Sequence, residues 1–318
     1  MASTVYVSGN LTTVADLTEI NIPKDTTKFS WVHLVGDYTE IRNVLAGQTK
    51  LNDNSIDALC QDTVRPRVFV NSHEDILLTL RSLSFNELTE MESFSIRIWI
   101  DQNLILTICK YDAISPFDLL KLISQPANVT ASKFLSVLCT CLNEKINLAI
   151  EALDENIDEF EERTLNNQDI DLQQLQMLRT KILHLRRFLH PQKLALQKLT
   201  SSATSETELV EFRSSIWREI ENSQSRDIEV LTELKERAVL LYESIQQKAQ
   251  EKMNKVMFVL SVVASFFLPL SFIAGVLGMN VSGLPATSGE YGFYWVSLAM
   301  ILFITIQWLI FRKWKWIS

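Results

Sequence analysis

Stepping alternately three and four residues along a segment near the C-terminal end picks out Asn254, Met257, Ser261, Ala264, Leu268, Ser271, Gly275 and Gly278. A 3.5-residue repeat places all eight on one face of a helix. That face gathers most of the small and polar residues of its segment, while Phe258, Val262, Phe266, Phe267 and Phe272 fall elsewhere. It ends at the triplet Gly278-Met279-Asn280. These residue types suit contact with a hydrated cation. Copies of Asn280 arranged in a ring would present neutral amide oxygens, which hold an ion without trapping it. An ion such as Mg²⁺ gives up its waters reluctantly, so the ring would grip through outer-sphere hydrogen bonds. Further in, Ser271 and Ser261 could touch the same waters. Leu268 and Met257, with Leu260, offer apolar rings able to gate by dewetting. Asn254 would mark the inner mouth, and Gly275 and Gly278 would keep the axis open. No Asp, Glu, His or Cys lies among residues 256–281. A dehydrated zinc ion would want such ligands, so the pattern fits a largely hydrated ion. Small residues also line interfaces between membrane helices, and Gly275-x-x-Gly278 serves close packing equally well. On periodicity alone, packing and a wet axis stand level.

The elements that position this face are membrane helices. Residues 256–281 and 291–311 are two uncharged, mostly apolar runs, each longer than the roughly 20 residues that cross ~30 Å of hydrocarbon. Lys248, Lys252 and Lys255 precede the first run, Arg312, Lys313 and Lys315 follow the second, and residues 282–290 between them contain no Lys or Arg. The positive-inside rule then puts both termini in the cytoplasm and the short loop outside. Trp295, Trp308, Trp314 and Trp316 stand where interfacial anchors of the second span belong. Residues 1–10 have neither a basic start nor an apolar stretch, so the long N-terminal part is expected to stay cytoplasmic. Two spans cannot enclose a pore, so a wet axis requires several copies of the chain, most simply in a closed ring.

The remainder is acidic. Residues 1–255 carry 27 Lys and Arg against 37 Asp and Glu, which argues against nucleic acid as a partner. Cys60, Cys109, Cys139 and Cys141 form no zinc framework, and on a helix Cys139 and Cys141 would point about 200° apart. The chain has no Walker motif or Gly-rich phosphate loop and no nucleophile–base pair, so an enzyme is not expected, nor a cofactor. His33, His73, His184 and His190 are scattered; His33 or His73 could join carboxylates at an ion site, though a structural role suits each better.

A mixed α/β region is expected over residues 1–125. Strand patterns recur at 29–35, 67–70, 75–80 and 94–100, and the last runs through 101–103 into 104–108 as a hairpin. Helical pieces fit at 37–46 and 54–60, and Ser115-Pro116 looks like the cap of a helix over 117–123. Residues 127–268 contain no Gly and one Pro, Pro191, so long helices are expected. They are placed at about 130–166 and 169–189, turning at Asn166-Asn167. A third starts near the capping box Ser205-x-x-Glu208 and runs to Asn280, with a break conceivable at 222–225. Asp154, Glu155, Asp158, Glu159, Glu161 and Glu162 form an acidic face, which suits solvation better than a metal. The domains are then 1–125 (α/β), 126–255 (helical bundle and stalk) and 256–318 (membrane, with spans about 256–280 and 291–311).

A Gly-Met-Asn triplet closing the first of two C-terminal spans, above a helical stalk and an acidic body, resembles the CorA family of divalent-cation channels over essentially the whole chain. Residues 31–34, 65–68, 98–100, 186–192 and 280–285 are similar to the ZntB-like branch, associated with zinc. Magnesium-type members usually carry acidic and basic residues after the triplet; here 281–289 are uncharged and Glu290 is the one acid. Met279 does not separate the branches. The resemblance implies a homopentamer of the inner membrane moving divalent cations, zinc preferred. A magnesium, cobalt or nickel channel is the alternative within the family. A membrane-tethered sensor that conducts nothing is the alternative outside it.

Overall fold

The structure is a computed structural model, described for residues 3–7, 10–14, 17, 20, 22–23, 28–48, 51–62, 64–70, 75–85, 91–111, 116–122, 129–166, 168, 170–202, 212, 214–279 and 291–313. It divides into two units, Met1–Tyr242 and Glu243–Ser318.

The first unit is built on a seven-stranded sheet: β1 (Ser3–Val7), β2 (Asn10–Val14), β3 (Ser30–Val35), β4 (Arg67–Val70), β5 (Ile76–Phe85), β6 (Met91–Asp101) and β7 (Leu104–Cys109), in the order β2-β1-β3-β7-β6-β5-β4. Pairing is antiparallel except where β3 runs parallel to β7. β3 to β7 fall where apolar and β-branched runs in the sequence place them, β5 and β6 extending further toward each other, and Gln102, at φ 51°, supports the β6–β7 turn. The β1–β2 hairpin is not signalled in the same way. Asn10, Thr12 and Thr13 make β2 a largely polar strand at the sheet's end.

Alternate residues of each strand serve two cores. Leu104, Leu106, Ile108, Val32 and Leu34 pack against α1 (Tyr38–Gln48) and α2 (Asp53–Cys60). Ile96, Ile98, Ile100, Ile76, Leu78, Leu80 and Trp31 face the other way, onto α4 (Ala131–Leu165) and α5 (Leu172–Ser202). Helices therefore cover both faces, as period-two strands apolar on both sides require. α3 (Pro116–Lys121) is shorter than the expected helix, and its expected cap Ser115 lies outside the described residues.

The long helices differ from expectation in three places. α4 starts on Thr130, whose hydroxyl accepts from the Lys133 amide at 3.3 Å. α5, however, runs through Pro191 to Ser202 instead of stopping at 189. Pro191 removes one helical hydrogen bond, but Gln192, Ala195, Leu196 and Leu199 just beyond it are buried and hold the helix in register on the sheet. α6 (Ser215–Leu277) is continuous over 63 residues, with no break at 222–225. Gln224 and Asp227 are buried there, and Ser225 Oγ donates to the Glu221 carbonyl at 2.8 Å, so the polar run stays helical by packing on α4. Residues 205–208 lie outside the described residues, and α6 starts at Ser215. Trp217, fully buried, anchors that start by donating from Nε1 to Ser132 Oγ at 3.0 Å.

Candidate functional site

The second unit holds the C-terminal part of α6 and α7 (Gly292–Lys313), both long and apolar enough to cross a membrane. Within it the two helices meet along one seam. On α6 the half-buried residues are Val262, Ser265, Phe266, Pro269, Leu270, Ile273, Val276 and Leu277. On α7 they are Gly292, Val296, Ser297, Met300, Gln307 and Phe311. Phe266 and Phe311 bring their ring centroids to 5.6 Å. Pro269 has no N–H to give the carbonyl of Ser265, and the Gln307 amide donates to that oxygen at 2.8 Å. In lipid such a carbonyl has no water to turn to, so the seam is fixed by a hydrogen bond as well as by packing.

The stripe lies off this seam. Asn254, Met257, Ser261, Ala264, Leu268, Ser271, Gly275 and Gly278 are all exposed in the single chain. A Cβ built on Gly275 would meet nothing within 4 Å. At Gly278 it would come within 3.0 Å of the Ala274 carbonyl, which already accepts from the Gly278 amide at 2.9 Å. Glycine is thus the residue that lets the helix end closely at this point. Packing of the stripe against the chain's own second span is not what the small residues serve. Among the described residues nothing of the chain covers this face, and lipid suits serines poorly.

The hydroxyl geometry bears on ion chemistry. Ser261 Oγ donates to the Met257 carbonyl at 2.9 Å. With its proton committed, the oxygen presents lone pairs outward. Waters around a cation point their hydrogens outward, so lone pairs are what a hydrated ion needs. Two turns below, Asn254 Oδ1 accepts from Gln250 Nε2 at 3.2 Å, and Gln247 Nε2 donates to Glu251 Oε1 at 3.1 Å. Met279 is exposed. Asn280, the loop 281–290 and Trp314 to Trp316 lie outside the described residues. Trp295 and Trp308 are exposed on α7, and the Arg312 guanidinium lies 5.3 Å from the Trp308 ring centroid, as at a membrane interface.

The acidic face of α4 has another use than solvation. Arg237 of α6 donates to Asp154 at 2.7 Å, to Glu161 at 2.8 and 2.9 Å, and to Asp158. Among the described residues no group of three His, Cys, Asp or Glu could hold a metal. His33 is fully buried on β3, with Nδ1 at 2.8 Å from Thr107 Oγ1, which also takes the Trp31 indole N–H at 2.9 Å. Burial holds its pKa down at about 4. His73 lies outside the described residues. Cys139 is buried, its thiol pushed up to about 12 by that burial, and Cys141 is half-buried.

Sequence reasoning did not find Arg237 or Gln307. Gln307 did carry a signal, as the one amide in the second apolar run.

Residues 26–313 match the family model described as CorA-like Mg2+ transporter protein. The chain belongs to the CorA family. The divalent cation transporter CmaX of Pseudomonas aeruginosa is 29% identical over 291 residues, 90% of this chain and 87% of that protein. The zinc transport protein ZntB of Vibrio parahaemolyticus is 27% identical over 288 residues, 89% and 88% of the two chains. Full-length CmaX superposes with a TM-score of 0.80 at 26% identity, covering 99% of this chain and 98% of that one. The CorA magnesium transporter from Methanocaldococcus jannaschii shares the fold at a TM-score of 0.79 and 20% identity, covering 100% and 99%. This CorA-family protein is accordingly a divalent-cation transporter with an N-terminal α/β body and two C-terminal membrane helices.

Proposed function

We propose that this protein conducts divalent cations, with zinc preferred, through a homopentameric pore in the inner membrane lined by its first span. The observation that carries this is the exposed stripe from Asn254 to Gly278, turned away from α7, the other membrane helix among the described residues. Five copies around one axis would let these faces meet across water. Gly278, Met279 and Asn280 then form the outer mouth, Ser271 and Ser261 touch the ion's waters, Leu268 and Met257 narrow the path, and Asn254 forms the inner mouth. Ala264 and Gly275 leave width for the hydration shell. Residues 1–125 and 126–255 are the cytoplasmic α/β and helical parts, 256–318 the pore part, and both termini face the cytoplasm. The cation is cargo, and no cofactor is needed.

Zinc rests on the ZntB relatives and on the uncharged residues after the triplet. The family's magnesium members and CmaX favour a second reading, a broader channel for Mg²⁺, Co²⁺ or Ni²⁺. Uptake into proteoliposomes across these four metals separates the two: zinc should enter fastest and compete best. Zinc entry no faster than the others would leave the broader channel standing. Absence of flux for every metal would leave a tethered sensor.

A further inference from the structure

Two sequence motifs that the ion path does not use meet in the N-terminal unit. Arg65 and Pro66 precede β4, and His184, Arg187 and Phe188 lie on α5. Together with Val64 and with Arg81 of β5 they line one cavity of about 380 Å³. That is within the size range of small-molecule sites. Its composition is lopsided. Val64 and Phe188 are buried and give an apolar floor, and three guanidinium groups and an imidazole supply the rest with Pro66. No carboxylate lines it, in a chain whose net charge is −8.

Two of the cationic groups, Arg81 and His184, are held in place. Arg81 donates from Nε to Ser95 Oγ at 3.2 Å, and its backbone N–H is taken by the buried Gln192 side chain at 2.7 Å. This pins the arginine at both ends while its terminal nitrogens keep their donors. His184 Nε2 sits 3.0 Å from Ser93 Oγ on the neighbouring strand, and its ring packs edge-on to Phe188 at 6.1 Å. Among the described residues Arg65, Arg81 and Arg187 have no acidic partner, in contrast to Arg42, Arg163, Arg226 and Arg237. Burial and the charges of Arg81 and Arg187 lower the His184 pKa. Like charges gathered around a cavity repel unless something negative sits between them.

We propose that this cavity is a binding site for a small phosphate-bearing anion. Guanidinium forks on β5, on α5 and before β4 approach from three elements, matching the several oxygens of a phosphate that bidentate arginines favour. The apolar floor beside Phe188 can take the face of an organic group, so the phosphate belongs either to an inorganic anion or to a nucleotide. The site is lined entirely by residues of the N-terminal unit and does not depend on which metal is carried.

The test is calorimetric titration of the full-length protein in detergent, free of divalent cations, with inorganic phosphate, pyrophosphate and ATP. Saturable binding of pyrophosphate or ATP at one per chain is expected, weakened about tenfold or more by Arg187→Gln, whose exposed side chain is not needed for folding. Arg81→Gln with Arg187→Gln should abolish it, with the particle size unchanged on a sizing column. ATP binding more tightly than pyrophosphate marks a nucleotide site, and the reverse order an inorganic one. Failure of all three probes to saturate overturns the proposal, as does equal affinity in the Arg187→Gln protein. Loss of oligomer in the double variant without anion binding by the parent also overturns it, and assigns the arginines to carboxylates of a second copy.

Discussion

Gln307 of α7 donates to the carbonyl oxygen of Ser265 in α6 at 2.8 Å, and Ser265 is the residue four before Pro269. The proline leaves that carbonyl without its helical donor, and the second span supplies one. This fixes which face of α6 is turned to its own partner helix. It thereby leaves the opposite, small and polar face exposed among the described residues.

The pairing predicts a non-additive result. Gln307→Leu orphans the Ser265 carbonyl and should destabilise the membrane unit by about 1–2 kcal/mol. In a Pro269→Ala background residue 269 regains its N–H, and the same substitution should cost much less. Thermal unfolding of the four proteins in one detergent closes the cycle. Equal cost in both backgrounds would separate Gln307 from the proline.

Arg237 joins α6 to Asp154, Asp158 and Glu161 of α4. Its side chain is 24% exposed. Because the acids are more exposed than the arginine, solvent screens much of the attraction, and Arg237→Gln should cost on the order of 1 kcal/mol. The loss should shrink in high salt. Urea unfolding at low and high ionic strength reads both.

Burial pushes the Asp227 carboxyl from 3.8 up to about 6. The Asn147 amide nitrogen, turned toward it, lies 2.9 and 3.2 Å from its two oxygens. With the folded pKa above the unfolded one, the folded protein keeps a proton that the unfolded chain releases. Stability from this group is full below about pH 4, falls as pH rises to about 6, and is level above. The change is about 3 kcal/mol at ~1.4 kcal/mol per unit. Asp227→Asn should flatten the stability profile over that window, as followed by circular dichroism.

Arg97 is almost fully buried on β6, and among the described residues it forms no ion pair. Its guanidinium lies 3.7 Å from the Tyr38 ring centroid and donates to the carbonyls of Leu59 at 2.8 Å, Asp62 at 3.3 Å and Gln61. These carbonyls lie in the last turn of α2, at its C-cap and just past it. Arg97→Met leaves the buried Leu59 carbonyl unpaired and should destabilise the N-terminal unit by about 2 kcal/mol. Proteolysis should then open the chain first near α2.

The strands at the sheet centre were legible because each must be apolar on both faces. Ile96, Ile98 and Ile100 serve one core and Trp99 the other. The spans were legible from length and charge alone. Less visible were features set by contacts distant in sequence. Pro191 stops a helix by local rules, yet α5 passes it because Gln192 and Leu196 are fixed to the sheet. Residues 222–225 look breakable until Asn143 Nδ2 is seen donating to Ser223 Oγ at 2.7 Å from α4. The acidic run on α4 gives no hint of an arginine some 80 residues later. On the candidate site, the stripe was readable as a periodicity, but its separation from the α6–α7 seam needed the packing of α7.

The central claim is that the stripe of the first span lines the ion path. Its most direct test compares neighbouring residues on different faces: zinc uptake by proteoliposomes carrying Ser271→Cys or Phe272→Cys, before and after a membrane-impermeant thiol reagent. Block of the Ser271→Cys protein, with the Phe272→Cys and parent proteins unaffected, is the predicted result. Uptake through Ser271→Cys that persists after treatment, or equal block at both positions, would contradict it.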